Sequence, residues 1–543
     1  MSLTELHLLD GQTADVKDPD RVWAWPARIL LVLLLAATAW ISLRAYLLPL
    51  PLGAIAPEGE FSAARALRHV EAMANVPPGG VEAYLAAQAA ALGLSSEAAI
   101  AESRGVVARL AGTEPTGAIL LTSSYDPAGS APGAAGAATM LEMLRALRTG
   151  PKPKNDVLVL FSATRPLDEA AVAARGAALV LRFERLSDRG PVALLGSSRQ
   201  TGGLVRDVLR HIPHPTAFLV GNDAGGRPRG GTATLVFTAI GGPAAGAAPD
   251  ERTVQDAGDT ALDLVRTLGG LALPPPAEPD LVAFNVGQDQ VVTYPAAWSR
   301  TGGLVSVLAA VILLGLGFAR RKLAPAALAT GTLLFPAVVI VASVVAATAL
   351  AILARWNPGG HALPWGTPHA AWFSGGVLAL GVAVAAALDV LLRTRRAAPR
   401  ADTGLAAAGL IWGALLALVA GLWFPEAAYL AVVPAILFVP AFLVLFLTDD
   451  VSRHPWMQAT ALALAAVPAV LLLTPVWRLL DVASGWGVPA PQFLPAAVSA
   501  GLGALVAALL LPHLSLPRRR WLFPAFCFVI AASLLVLGAR LTP

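Results

Sequence analysis

The sequence predicts a two-part membrane protein: an extracytoplasmic α/β domain and an all-α polytopic membrane domain, with about nine transmembrane helices in total. Of the 543 residues, 56% are hydrophobic and only 14% are charged, whereas soluble proteins carry about 25% charged residues. Long apolar runs occupy 28–48 and most of 301–543, whereas 57–300 alternates short polar and apolar segments. This composition excludes a wholly soluble enzyme and a disordered protein.

The first apolar run predicts a membrane anchor. Residues 1–27 form a polar tail, predicted to be cytoplasmic, and 28–48 are long enough to cross a bilayer as a helix. The small-x-small motif Ala54-Ile55-Ala56 leaves a cleaved signal peptide as the alternative. The run is long for a signal-peptide core and the tail is acidic, which favours a retained anchor.

Apolar periodicity within 57–300 predicts helices and strands in alternation. Runs such as GAILLTSSY and DVLVLFSA suit strands that are buried on both faces. The alternation predicts a mostly parallel sheet sandwiched by helices, with any site at the carboxyl ends of the strands. In chain order the predicted elements are helices 61–74 and 79–94, strand 117–124, helix 134–149, strand 156–163, helix 168–175, strands 177–184 and 191–196, helix 201–212, strand 232–240 and helix 255–270.

The region 301–543 predicts eight further spans, and its charges predict their orientation. With the N-terminus in the cytoplasm, eleven Lys and Arg residues lie in cytoplasmic loops and four lie outside, as the positive-inside rule requires. The domain 57–300 would then be periplasmic or extracellular, on a cytoplasmic (inner) membrane. The spans are 302–319, 325–354, 371–392, 403–424, 427–447, 457–477, 492–512 and 521–540.

The basic residues themselves do not indicate nucleic-acid binding. Only four of the 39 are lysines, and the arginines are scattered or lie at the ends of predicted spans. With 50 Gly and 43 Pro, this bias indicates GC-rich coding and most simply a bacterium. The single cysteine, Cys527, excludes an internal disulfide and a cysteine-based metal site.

The ordered segments of the domain resemble the co-catalytic di-zinc aminopeptidases, specifically their membrane-anchored, endoplasmic-reticulum-metallopeptidase-like branch. The layout of anchor, domain and eight spans extends this resemblance to nearly the whole chain. It implies a zinc-aminopeptidase-like fold. The segments are FSAARALRHVEAMA, VEAYLAAQAAALGL, VVARLAGTEPTGAILLTSSYDPAGSAPGAAGAATMLEMLRAL, NDVLVLFSATRP, LRFERLSDRGPVALLGSS and DTALDLVRTLGGLAL, followed by LVAFNVGQDQVVTYPAAWS.

The resemblance also implies where two zinc ions would bind, and this sequence departs from that pattern. The His-x-Asp of the family corresponds to Ser124 and Asp126, so only the carboxylate remains. The Glu-Glu pair, base and ligand, corresponds to Arg165 and Pro166. The next acidic ligand position matches Glu184, which is retained.

Two more ligand positions of the family have no counterpart. Pro132-Gly133-Ala134 runs directly into the next helix without the bridging aspartate, and GGPAAGAAPDERT lacks the last histidine. We therefore predict a vestigial site, with no catalytic residue, no bound metal and no other cofactor. Two alternatives stay open for Arg165: an ion pair with the carboxylates of this pocket, Asp126 and Glu184, which would replace the charge of the metal, or a side chain that points to solvent.

The leading hypothesis is a catalytically inactive, peptidase-like membrane protein that acts as a scaffold, accessory subunit or binding module. Its expected partners are other integral membrane proteins and the lipid bilayer, not nucleic acid. The layout resembles the peptidase-like subunit of the eukaryotic GPI transamidase. Two alternatives stay open: an active membrane-bound zinc aminopeptidase with displaced ligands, and a transporter or lipid-handling protein with a vestigial domain. The predicted spans hold few ionisable residues near their centres, which disfavours a transporter.

Overall fold

The structure is a computed structural model, and several predictions lie outside the residues that it describes. Those predictions are Arg165 and Pro166, the helix at 168–175 and the span at 492–512. The described residues are 26–27, 29–31, 33–35, 37–38, 41–42, 48–77, 79–98, 105–163, 176–219, 232–240, 249–286, 290–355, 370–395, 401–448, 455–483 and 521–540.

A seven-stranded mixed sheet forms the centre of the extramembrane domain, with the spatial order β1-β2-β4-β3-β5-β7-β6. The central strands β4, β3, β5 and β7 run parallel, and the three pairings nearer the edges are antiparallel. The mostly parallel sheet predicted from sequence is therefore right for the centre and wrong for the edges. The strands are β1 (Ser95–Ala98), β2 (Gly105–Leu110), β3 (Ala118–Ser124), β4 (Asp156–Ser162), β5 (Ala177–Glu184), β6 (Val192–Ser197) and β7 (Ala233–Ala239).

One face of this sheet packs against helices to form the main hydrophobic core. Phe183 and Phe237 stack on it with ring centroids 5.1 Å apart, and Met140 and Val265 contribute from two of the helices. The described helices begin and end within four residues of their predicted bounds. They are α1 (Ala63–Ala74), α2 (Val81–Ala91), α3 (Ala131–Thr149), α4 (Gly202–His211) and α5 (Glu251–Leu268).

Local sequence explains where the helices of the site begin. The Ser130 side chain caps α3 by accepting the N–H of Gly133, and a proline occupies the first turn, where its missing N–H costs nothing. Asp250 caps α5 in the same way by accepting the N–H of Thr253.

A two-stranded antiparallel hairpin follows the sheet and leads into the membrane domain. It consists of β8 (Leu281–Asn285) and β9 (Val291–Pro295), and neither strand is among the elements predicted from the sequence. Four apolar stretches among the described residues are long enough to cross a membrane: Ala297–Ala319, Pro325–Val345, Ala406–Trp423 and Tyr429–Leu447. They indicate a membrane protein, whereas the predicted count of nine spans is not confirmed.

The described helices of the membrane domain overlap the predicted spans, with bounds that differ by up to six residues, and the span predicted at 427–447 is divided into two helices. Its two parts, α10 and α11, meet at Phe438, and Pro440 lies in the first turn of the second part. The helices are α6 (Ala297–Ala319), α7 (Pro325–Arg355), α8 (Ala370–Arg395), α9 (Ala401–Trp423), α10 (Tyr429–Leu437), α11 (Val439–Leu447), α12 (Pro455–Ala483) and α13 (Leu522–Arg540).

The described residues of the predicted anchor are helical and pack against the bundle. Leu31 is buried in a cluster with Ala441 of α11 and Leu462 of α12, and the Ser42 hydroxyl donates to the carbonyl of Leu471 at 3.3 Å. The anchor is therefore a packed component of the membrane domain in this structure.

Candidate functional site at the carboxyl edge of the sheet

The predicted site residues Ser124, Asp126 and Glu184 lie at the carboxyl edge of the parallel strands. Ser124 ends β3 and pairs in register with Ser162, the last residue of β4. On the other side of β3, Ser123 pairs with Phe183, so Glu184 of β5 lies one residue further along the neighbouring strand. Adjacent strands are about 4.8 Å apart, so the ends of these three strands form one continuous edge.

Glu184 is paired with an arginine of its own strand. The Nη2 atom of Arg182 lies 2.9 Å from Oε1 of Glu184, and the two side chains are 11% and 33% exposed. Residues two apart on a strand point to the same face, which places this pair side by side. Neither alternative for Arg165 is tested, because Arg165 lies outside the described part of the chain.

Arg182 brings a largely buried positive charge to this edge. In register it lies between Thr122 of β3 and Val236 of β7. The hydroxyl of Thr122 is buried and has no hydrogen-bond partner among the residues that the structure describes. The edge therefore combines a guanidinium, a carboxylate and hydroxyl groups.

Asp126 is held by the turn that precedes α3. Its carboxylate accepts a hydrogen bond from the Ser130 side chain and another from the N–H of Ala128, the latter at 2.9 Å. The Ser130 bond, followed by the backbone bonds from Ala128 and Ser130, lowers the pKa of Asp126 below its ordinary value against a smaller opposing effect of burial. A Cβ on Gly133 would lie 2.3 Å from the Cβ of Asp126, so this turn requires glycine. These contacts give Asp126 a structural role at the start of the helix.

The side chain before Ser124 points to the opposite face of the sheet and packs against α3. A Cβ on Gly136 would lie 2.3 Å from Oγ of Ser123, so the helix approaches this strand through a glycine. Ser123 is buried, and its hydroxyl has no partner among the described residues. Its position is explained by close helix–strand packing.

The described residues contain no group of three His, Cys, Asp or Glu side chains that could hold a metal ion. Two described histidines of the domain, His69 and His211, contact protein groups that are not part of a metal site. His69 Nδ1 lies 2.8 Å from the Tyr84 hydroxyl, and burial lowers the pKa of its imidazole. His211 Nδ1 lies 2.7 Å from the carbonyl oxygen of Asp207 in its own helix.

The face of the sheet that carries Glu184 packs on the membrane domain through β6, beside this edge. Ala193 of β6 belongs to a buried cluster with Phe284 of the hairpin and Tyr429, the first residue of α10. The rings of Phe284 and Tyr429 stack with centroids 4.4 Å apart and planes at 6°. Thr238 of β7 pairs with Ala193 on one side and with Glu184 on the other, so one row of residues leads from the site to the bundle.

Sequence reasoning missed Arg182, Phe284 and Tyr429. A signal for Arg182 was present, because LRFE places an arginine two residues before Glu184 within a predicted strand. Nothing local in the sequence marks the Phe284–Tyr429 stack, because the two residues are far apart in the chain and belong to different parts of the fold.

Comparison with known proteins gives a weak structural similarity. Two solved structures of Porphyromonas gingivalis glutaminyl cyclase are 15% identical to this chain and cover 37% of it, which corresponds to 96% of their own length. Their TM-scores are 0.28 and 0.29, too low to carry an argument about fold or function. No family model and no curated protein matches the chain.

Proposed function

We propose that this chain is a catalytically inactive, peptidase-like integral membrane protein whose α/β domain is a scaffold, accessory subunit or binding module of a membrane complex. The Arg182–Glu184 ion pair at the carboxyl edge of the sheet is the observation that carries this proposal. The resemblance to di-zinc aminopeptidases would make Glu184 a metal ligand, and here its carboxylate neutralises a guanidinium.

The side chains at the described part of this edge do not fit a zinc pair. Two zinc ions need about five His and carboxylate ligands and a base for the bridging water. Ser124 offers a hydroxyl where the family has an imidazole, and the Asp126 carboxylate is held by Ser130 and Ala128. A zinc ion at Glu184 would lie next to the guanidinium of Arg182 and be repelled by it.

The contact between the α/β domain and the helix bundle supports a scaffolding role. Phe284 and Tyr429 are both buried and stack closely, and Leu472 of α12 completes the cluster. A domain fixed in this way presents a constant surface beside the membrane, which a scaffold requires.

The charge pattern supports a specific location. Eleven basic residues in the predicted cytoplasmic loops against four outside support the proposal that the domain lies on the periplasmic or extracellular side of a bacterial cytoplasmic membrane. The partners would then be other integral membrane proteins, in contact with the bundle or with the domain above it, together with the surrounding lipid bilayer.

A hydrolysis assay tests the catalytic half of this proposal. Purified full-length chain in detergent, with zinc added, should not cleave aminoacyl reporter substrates, and the matched variants Glu184→Gln and Arg182→Met should behave like the wild type. Chelator-sensitive cleavage that is lost in Glu184→Gln would overturn the proposal and support an active peptidase with displaced ligands.

Affinity purification from native membranes tests the scaffolding half. We expect integral membrane proteins to co-purify in fixed ratio with the wild-type chain. They should be lost from Tyr429→Ala, because this substitution removes the contact between the domain and the bundle. They should be retained by Tyr429→Phe, which keeps the stacked ring. Recovery of the wild-type chain alone, with transport of a solute or lipid in reconstituted vesicles, would contradict it and favour the transporter alternative.

A further inference from the structure

One helix of the domain, α5, holds two of the segments through which the domain meets the membrane part: segment 52–63, after the anchor, and strand β6. These two segments are called the two junctions below. The first contact is made by Gln255, whose buried Oε1 accepts the N–H groups of Leu52 and Ala63, both at 2.9 Å. Its Nε2 donates to the carbonyl oxygen of Phe61 at 3.1 Å. This single side chain therefore fixes the segment that leads from the anchor into the domain.

The next residue of α5 makes the second contact. Oδ2 of Asp256 accepts the N–H of Val192 at 2.7 Å, and the residue is only 6% exposed. Val192 begins β6, and the following residues of that strand, Ala193 and Leu195, pack in the cluster with Tyr429. Asp256 therefore holds the strand through which the sheet rests on the bundle.

Further charged groups surround these two residues. Asp259 and Asp263 follow on the same side of α5, at spacings that bring side chains together on a helix. Both carboxylate oxygens of Asp259 accept hydrogen bonds from Nε2 of Gln255 at 3.0 Å. The groups that act on this cluster from other elements are Glu60, in the segment after the anchor, and His214, in the loop after α4; Arg266 of α5 acts on Asp263.

The burial of this cluster favours protonated carboxyl groups. Burial raises the pKa of Asp256 to about 7, with Asp259 adding to the rise and the Val192 N–H and His214 opposing it. Burial likewise raises the pKa of Asp259 to about 6, against its hydrogen bond from Gln255. Asp263 and Glu60 raise the pKa of Asp259 further, and His214 lowers it.

We propose that Gln255, Asp256 and Asp259 form a proton-sensitive clamp, which holds both junctions of the domain when the carboxyl groups are protonated and loosens them when the groups ionise. Ionised Asp256 and Asp259 would be two negative charges within one helical turn, next to Glu60. Their repulsion is relieved when β6 and segment 52–63 open to water.

The sign and size of the effect follow from linkage. Because the pKa values are raised in the closed state, the clamp is firmest below about pH 4 and weakens as the pH rises through about 7. If opening restores ordinary pKa values, ionisation of Asp256 raises the opening constant roughly 100-fold between about pH 5 and about pH 8. Asp259, with the lower pKa, adds roughly tenfold over the same interval.

Hydrogen exchange of the full-length chain in detergent tests the clamp. Protection factors, which remove the intrinsic pH dependence of exchange, are measured for β6 and for segment 52–63 at about pH 5 and about pH 8. We expect a fall of roughly 1,000-fold in the wild type, roughly tenfold in Asp256→Asn, and none in the double variant Asp256→Asn/Asp259→Asn. Asparagine keeps an acceptor for the Val192 N–H, so these variants remove the charge and preserve the bond.

Asp207→Asn is the matched control, because Asp207 lies on α4, outside the cluster, and it should behave like the wild type. An unchanged pH dependence in Asp259→Asn and in the double variant would overturn the proposal. Protection factors of β6 and segment 52–63 that equal those of β3 and β4 at about pH 8 would also overturn it, because they would mean that the two junctions open only when the whole domain unfolds.

Discussion

Replacing Glu142 with glutamine tests how the segment after the anchor is held in the domain. The Glu142 side chain, on α3, is fully buried. Its carboxylate accepts the N–H of Ser62 at 3.2 Å, Nε of Arg65 at 2.7 Å and Nε of Arg145 at 2.7 Å. It therefore balances two positive charges at the point where the chain enters the domain.

The two arginines that pair with Glu142 also bind the backbone of the segment that precedes α1. Nη1 of Arg65 donates to the carbonyl oxygen of Ala56 at 2.8 Å, and Nη1 of Arg145 donates to that of Glu58 at 2.7 Å. Removal of the Glu142 charge leaves both guanidinium groups without their counter-charge and costs about 3–5 kcal/mol of the free energy of unfolding, the range for breaking a buried ion pair.

An exposed ion pair of the same domain provides the matched control. Arg206 and Glu278 are 3.4 Å apart, and their side chains are 42% and 41% exposed. Solvent screens such a pair, so Glu278→Gln should cost only about 0–1 kcal/mol. Both substitutions replace a glutamate by its neutral isostere, and only the burial of the charges differs.

Thermal unfolding of the full-length chain in detergent, followed at the extramembrane domain, measures the difference. A loss of 1 kcal/mol lowers the Tm of a domain this large by about 2–4 °C. We therefore expect a fall of roughly 6–20 °C for Glu142→Gln and less than about 4 °C for Glu278→Gln. Equal shifts for the two variants would refute the reasoning.

Three further predictions concern the contact of the domain with the helix bundle, the packing of its core and the ionisation of its buried carboxyl groups. Tyr429→Ala should expose the hairpin to protease by removing the ring that stacks on Phe284, at a cost of about 3–5 kcal/mol, and Tyr429→Phe should stay protected. In a denaturant titration, Gly258→Ala should lower the free energy of unfolding by about 1–3 kcal/mol, because its Cβ would lie 2.2 Å from Cζ of Phe61. Gly53 has open space around it, so Gly53→Ala should leave the free energy of unfolding unchanged. The Tm of the domain should fall as the pH rises from about 4 to about 8, because burial raises the pKa of Asp256 to about 7; a Tm of Asp256→Asn that falls as steeply would contradict this.

The sequence predicts the parallel centre of the sheet because its strands are continuous apolar runs. DVLVLFS is buried along its whole length as β4, and AILLTSS is buried along most of β3. The edge strand β1 was missed because SSEA is short and polar, and it is a strand only because β2 pairs with it. Antiparallel edges arise from such tertiary pairing, which apolar periodicity does not record.

The candidate site was predictable in part, because its residues follow the predicted parallel strands. Parallel strands bring their carboxyl ends to one edge, so Ser124, Asp126 and Glu184 could be placed together from their positions after predicted strands. The buried hydrogen bonds of Gln255 and Glu142 could not be predicted from the sequence. Their partners, Leu52 and Ser62 respectively, lie 203 and 80 residues away in the chain. Buried polar side chains that join distant backbone groups have no local signature.

The zinc content of the purified full-length chain tests the central claim most directly. After purification in zinc-containing buffer and removal of unbound metal, elemental mass spectrometry should find well under one zinc ion per chain, with the same value for Glu184→Gln. The Arg182–Glu184 pair and the bonds to Asp126 leave too few ligands at this edge of the sheet to hold a metal pair. Two zinc ions per wild-type chain, lost in Glu184→Gln, would contradict the account.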